Sequence, residues 1–194
     1  MRRAAKRGVV GFSLIELVVA MAVAIILIAI GLPAFMRAYR VYQLNNAARQ
    51  MADILRLARY EAIRLNRAVN CAVQATGSTP PTTNVWVDSN NDGNIDPTEK
   101  MTVLGSGGNL VGPPGTTPPI SGQIGTMSIS TPSPSASNVQ FDARGAVKPP
   151  TTVNVFYLGS AAAPEAGYRA VVLMPAGGIQ IWTGDTAGNW QQLR

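Results

Sequence analysis

The chain of 194 residues contains no histidine and a single cysteine, Cys71. Without histidine there is no imidazole to serve as general base or as the commonest metal ligand, so a His-dependent catalytic triad and a histidine-bearing zinc site are excluded. One cysteine makes no internal disulfide, and its place in an apolar alternation reads as a buried free thiol. Aromatic residues are sparse at 6%, and no regular aromatic platform interleaves with the arginines as single-strand nucleic-acid binding would favour. Trp86, Trp182 and Trp190 read as core or edge-strand packing. Charge is sparse too, at 13%, and from Leu17 to Met36 it is absent for 20 residues.

What is present is organised around residues 11–35, GFSLIELVVAMAVAIILIAIGLPAF. About 20 apolar residues are what a helix needs to cross a hydrocarbon core. Four basic residues, Arg2, Arg3, Lys6 and Arg7, precede the run and orient it by the positive-inside rule. They also account for most of the formal net charge of +6, leaving +2 for everything after them. A cleaved secretory signal has a shorter apolar core followed by an A-x-A-like site, and neither holds here. Instead a glycine stands between the basic leader and the apolar run, where a cut would remove the charges and keep the helix.

Residues 11–17, Gly11-Phe12-Ser13-Leu14-Ile15-Glu16-Leu17, resemble the type IV prepilin N-terminus at every position. The resemblance implies that a prepilin peptidase cuts between Gly11 and Phe12 and methylates the new Phe12 amine. It also implies an assembly role for Glu16. Independently of any family, a carboxylate just inside an apolar helix is expensive in lipid unless it is paired or interfacial. An interfacial, snorkelling Glu16 is one reading. Pairing with the Phe12 amine of a neighbouring subunit, so that desolvation is compensated only on assembly, is the other.

Beyond the apolar run, Gly31 and Pro33 predict a kink or local melting of the helix. Past Arg37 the pattern becomes amphipathic: Leu44, Ala48, Met51, Leu55, Ala58, Ala62 and Leu65 recur at spacings of four and three on one stripe. Arg49, Arg56, Arg59, Arg64 and Arg67 fall largely off it. Seven arginines between Arg37 and Arg67 stand against Asp53 and Glu61, and a solvated face with intrahelical pairs, such as Asp53 with Arg56 or Arg49, accounts for them. A helix over residues 12–67 would be roughly 80 Å long. The expected organisation is therefore a leader at 1–11, an assembly half of the helix at 12–36, an amphipathic half at 37–67, and a head at 68–194.

The 19 glycines and 14 prolines call for a head rich in strands and turns. Nine short strand candidates follow, at 68–74, 84–88, 100–104, 126–130, 139–141, 153–158, 168–174, 178–183 and 189–193. They predict an α+β fold, a long helix packed on one small antiparallel sheet or two, shaped like a lollipop. Residues 105–123 and 131–138 are so rich in Gly, Pro, Ser and Thr that they read as exposed, flexible loops.

The segment 88–99, DSNNDGNIDPTE, satisfies the calcium-loop pattern D-x-[DN]-x-[DN]-G-x5-E. Asp88, Asn90, Asp92, Asp96 and Glu99 would supply side-chain oxygens, Asn94 a carbonyl, and Gly93 the sharp turn. The flanking stretches read as strands rather than helices, so a hairpin of Asx-type turns competes with a Ca2+ site. No cofactor is otherwise required.

The whole layout looks like the GspH/FimT family of minor pseudopilins and minor pilins. It joins the prepilin motif to a helix ending DILRLARYEAIRLNRAV, a VWVD-x-N-x-DG hairpin, an FDARG turn and a GYRAVVL strand. The resemblance implies a minor structural subunit of a type II secretion pseudopilus or a type IV pilus, acting in initiation, at the tip or in priming. Its partners would be other pilin or pseudopilin subunits, the prepilin peptidase and an inner-membrane assembly platform. It would be single-pass in the bacterial inner membrane with its head in the periplasm.

A DNA-binding minor pilin for uptake is the alternative. Members with that role carry a basic Gly-Arg-x-Arg, whereas Gly177-Gly178-Ile179-Gln180 here has neither arginine. The head offers only Lys100, Arg144, Lys148, Arg169 and Arg194, against seven acids: Asp88, Asp92, Asp96, Glu99, Asp142, Glu165 and Asp185. Phosphate contacts need several cations together, so this is a poor footprint. An enzyme has less support still, because Asp142, Glu165 and Asp185 belong to no catalytic motif.

Overall fold

The computed structural model describes residues 13–77, 82–105, 107–115, 117–160 and 163–193. One helix, α1 (Leu14–Leu65), opens the chain. The Ser13 carbonyl accepts the first intrahelical bond, from the Leu17 amide at 3.1 Å, which places Ser13 at the cap. The other end closes on Asn66, whose φ of 50° is left-handed. Asn66 N–H donates to Ile63 O and Arg67 N–H to Ala62 O, both at 3.2 Å, the paired bonds of a Schellman stop. Local melting at Gly31 and Pro33 does not occur, since α1 runs through both. Pro33 removes only the one bond to the Ala29 carbonyl, and the apolar, helix-competent residues on both sides keep theirs.

The chain divides into two compact units at Ala38/Tyr39. In the first, every described residue from Ser13 to Ala38 is exposed, Leu14 at 81%. In the second, the remainder of α1 is the spine of the core. Leu44, Ala48, Met51, Leu55, Ala58 and Ala62 are fully buried, Leu65 is half-buried against them, and Ala47, Ala52 and Ile54 widen the stripe. With alanine at five of these positions, the sheets can approach the helix closely.

Eleven strands follow among the described residues: β1 (Val69–Thr76), β2 (Thr82–Asp88), β3 (Met101–Leu104), β4 (Asn109–Val111), β5 (Ser128–Ser130), β6 (Ala136–Phe141), β7 (Val147–Lys148), β8 (Thr152–Gly159), β9 (Tyr168–Leu173), β10 (Ile179–Gly184) and β11 (Trp190–Leu193). One sheet has the order β3-β2-β1-β6-β7 and the other β11-β10-β9-β8-β4. The pairing is antiparallel except that β5 lies parallel to β8, Ser128 opposite Thr152. Period-two alternation sends Val69, Cys71, Val73, Val85, Val87, Val139 and Phe141 of the first sheet into the core with α1. From the second sheet come Phe156, Leu158, Val171 and Leu173. Fold class is thus as expected: a long helix whose second half packs on two small, almost wholly antiparallel sheets.

The loops at 105–123 and 131–138 need correction. The first contains β4, and its Leu110 and Ile120 are buried; the second holds buried Pro132 and the start of β6. Ile120 and Ile124 cover the outer face of the second sheet, where Val153, Val155, Tyr157, Ala170, Val172 and Trp182 form a separate core. Turn-rich composition fixes where the chain bends, but the isolated apolar residues between the bends still bury.

Two turns are tied together by a helix side chain. Arg59, half-buried, donates from Nη1 to the Gly177 carbonyl at 3.0 Å. Gly177 has φ 79°, and a Cβ there would stand 2.4 Å from the Gly145 carbonyl oxygen. Gly145 has φ 78°, and a Cβ there would meet only the Ile63 and Arg59 side chains, at 2.7 and 3.0 Å. Both alanine variants incur the strain of a left-handed residue, about 1–3 kcal/mol, but only Gly177→Ala forces backbone apart. Gly177→Ala is therefore expected to lower unfolding stability more than Gly145→Ala, by at least about 1 kcal/mol. Chemical denaturation of the two variants checks this; equal losses would contradict it.

Candidate functional site

Three groups of residues carry chemistry. The first is the exposed apolar half of α1. Glu16 lies in its first turn, where the unsatisfied amides favour a negative charge. It is the sole charged residue from Ser13 to Met36, a span otherwise filled with exposed Leu, Ile, Val, Met and Ala. Such a surface on a soluble protein would be a liability; here it is the one helix long and apolar enough to cross a membrane among the described residues. Pro33 sits on it, exposed. Gly11 and Phe12 lie outside the described residues.

The second group is the loop between β2 and β3. Asp88, 2% exposed, accepts the Asp92 and Gly93 amides at 3.2 and 3.0 Å. Glu99 closes the other end, accepting the Ser89 amide at 2.8 Å and the Asp96 amide at 3.3 Å. Between them the Asn90 amide donates to Asp92 at 3.0 Å and to Asp96 at 2.9 Å. The Asn94 amide donates to Asp92, and Asn91 (φ 62°) ties the loop to Asn70 N and Ala68 O. The twelve residues thus close upon themselves as Asx-type turns beside the end of α1. No three carboxylates converge as a metal cluster among the described residues.

The third group is the cations. Arg169, 6% exposed, donates from Nε to the Asn45 side-chain oxygen at 2.6 Å and from Nη1 to the Tyr168 carbonyl at 2.8 Å. Burial pushes its guanidinium below the ordinary arginine value. Arg144 and Lys148 flank the β6–β7 turn. There Asp142 accepts the Ala146 and Arg144 amides, which hold it below the usual carboxylate range. Lys100, by contrast, precedes β3 at the opposite edge of the same sheet. Arg194 lies outside the described residues. The described head cations therefore do not assemble into a patch, and one of them, Arg169, is inside.

On the helix, Arg56 pairs with Asp53 at 2.6 Å and Arg64 with Glu61, the intrahelical pairs that the spacing suggests. Sequence reasoning missed the long-range contacts: Arg40 with Glu165 at 2.6 Å, Asn45 with Arg169, and Arg59 with Gly177. Each joins positions more than 100 residues apart, for which a single sequence carries no signal. Cys71 is buried in the core, and burial pushes its thiol up to about 12, which keeps it protonated and inert at neutral pH. Trp86 and Trp182 are buried, and Trp190 lies 5.6 Å from the Tyr157 ring, so all three serve packing.

A bare apolar helix with one carboxylate in its first turn, continued by a stretch that two sheets enclose, defines a membrane-anchored structural subunit of the pilin kind. The sequence profile of the family described as type II transport protein GspH matches residues 47–178, and the chain belongs to that family. It is a minor pseudopilin or pilin subunit, and its partners include other subunits of that kind. The matched span covers most of the docked part of α1 and most of the head. Two crystal structures of the type IV minor pilin FimU from Pseudomonas aeruginosa are also similar to it. One is 18% identical over 71% of this chain and 91% of that one, with a TM-score of 0.43. The other is 16% identical over 79% and 94%, with a TM-score of 0.45. No curated protein sequence matches the chain.

Proposed function

We propose that this subunit enters a pilus or pseudopilus by moving the apolar half of α1 from lipid into a bundle of neighbouring helices, and that it acts in initiation, at the tip or in priming. The observation that carries this reading is the exposed, uncharged face of α1 with Glu16 alone at its start. In lipid that carboxylate lacks a counter-ion; in a filament the Phe12 amine of an adjacent subunit supplies one. This requires cleavage between Gly11 and Phe12 by a prepilin peptidase, and methylation of Phe12 accompanies it. The head then stands on the periplasmic side of the inner membrane, and an assembly platform in that membrane draws the subunit out. Catalysis has no part in this role. Glu16→Ala is expected to insert in the membrane normally and to fall by about tenfold or more in the assembled fraction, as loss of one member of a desolvated pair implies. Quantifying the chain in membranes and in sheared filaments tests it; unchanged incorporation would contradict the pairing.

Calcium uptake by the 88–99 loop is a second, separate proposal. Its support is that the Asn90 side-chain nitrogen lies 3.0 Å from an Asp92 carboxylate oxygen and 2.9 Å from an Asp96 one. Binding would require the Asn90 amide to turn its oxygen in place of its nitrogen toward the two carboxylates. Millimolar calcium is then expected to raise the Tm of the chain by several degrees (about 1–2 kcal/mol), and Asp92→Asn with Asp96→Asn to remove the shift. No shift in the native chain would leave the hydrogen-bonded turn alone.

A further inference from the structure

A groove of about 320 Å3 runs between the flank of α1 and the β10–β11 hairpin. Asn45, Arg49 and Arg56 form its helical wall, and Ile179, Ile181 and Leu193 its apolar floor. Ile181 pairs with Leu193 at the β11 edge, and Leu193, 47% exposed, overhangs beyond the core. Arg49 has no hydrogen-bond or ion-pair partner among the described residues, and Arg56 has only Asp53 of its own helix. Asn45 closes one end by accepting from the buried Arg169. The groove is thus cationic on one side and apolar below.

The chain carries a segment of the complementary kind. The 88–99 loop presents exposed Asp92, half-buried Asp96 and, between them, Ile95 at 41% exposed. It lies beside the end of α1, held to Ala68 and Asn70, whereas the groove lies at residues 45–56 of the same helix. Asn66 is some 10 to 21 residues beyond those positions, about 15–30 Å along the axis. Moreover, the loop hangs from the first sheet and the groove is cut in the second. Loop and groove of one chain therefore do not meet, but those of two copies can.

We propose that the Arg49/Arg56 groove of one subunit receives the acidic 88–99 loop of a second copy. Asp92 and Asp96 would face the two arginines, and Ile95 would seat on Ile181 and Leu193. The contact is heterologous, joining different surfaces of the two copies. It therefore leaves a free groove and a free loop at the two ends and extends along the helix direction instead of closing as a dimer. It lies wholly within the head and does not depend on Glu16, so its failure and that of the helix-packing reading are distinguishable. Charge steers and registers such a contact, and reversing one side is strongly unfavourable.

The test uses two full-length copies in one membrane with calcium chelated, one carrying Gln192→Cys at the groove and the other Asn94→Cys at the loop tip. Mild oxidation is expected to join them, since native Cys71 is buried and inert. Arg49→Glu with Arg56→Glu in the first copy should reduce the yield by about tenfold or more. Adding Asp92→Arg with Asp96→Arg in the second should restore it. Protection of Cys71 from alkylation reports that each variant is folded. A cross-link absent in the native pair, joining a different protein, insensitive to the groove reversal, or not restored between folded variants would overturn the proposal.

Discussion

Burial of the stripe from Leu44 to Ala62 is the interaction on which the rest of the head depends. Both sheets turn period-two apolar faces to that one helical surface, and among the described residues those faces are covered by nothing else. Leu44, Met51 and Leu55 supply volume and the alanines supply closeness. Truncating a fully buried side chain of this size costs about 2–5 kcal/mol, a large share of a domain's stability. Specific ties then fix the turns over this surface. Arg59 reaches the Gly177 carbonyl, Asn45 accepts Arg169, and Arg40 pairs with Glu165. Because these ties begin on the helix, the helix also sets where the turns of the second sheet stand.

The same helix has a first half that is exposed at every described residue. Its side chains satisfy the backbone rule for lipid, with every amide bonded internally apart from the ends and Pro33, and they satisfy no packing rule of a soluble protein. That asymmetry within one element is the physical basis of function here. The docked half is committed to the fold and the bare half to whatever surrounds it, in the proposed function first lipid and then helices of its own kind. On the proposed assembly Glu16 belongs with the second environment, where a counter-ion of opposite sign can be delivered at the moment water and headgroups are excluded.

Much of this was legible in the sequence. The four-and-three spacing from Leu44 to Leu65 located the docked stripe, and all nine strand candidates became strands with edges shifted by one to three residues. β7, with two residues, is shorter than any period can register, and the three residues of β4 lie among the glycines and prolines of 105–123, which signal bends. Leu110, Ile120 and Pro132 escaped for a like reason: Gly, Pro and Ser around them signal bends and say nothing about a buried side chain between bends. Arg59 was read by its charge as part of a solvated face and Arg169 as a candidate phosphate contact, yet Arg59 donates to the Gly177 carbonyl and Arg169 to Asn45. The 88–99 motif was legible as an oxygen-rich loop, while its closure by Asp88, Asn90 and Glu99 depends on backbone amides that no motif records.

The central claim is that the apolar half of α1 exchanges lipid for other helices. A photo-crosslinking residue at Leu27, exposed in the middle of that half, measures the exchange directly. With filament assembly blocked, the account predicts cross-links to lipid; with assembly active, it predicts cross-links to pilin-type subunits. Lipid adducts in equal yield under both conditions would contradict it.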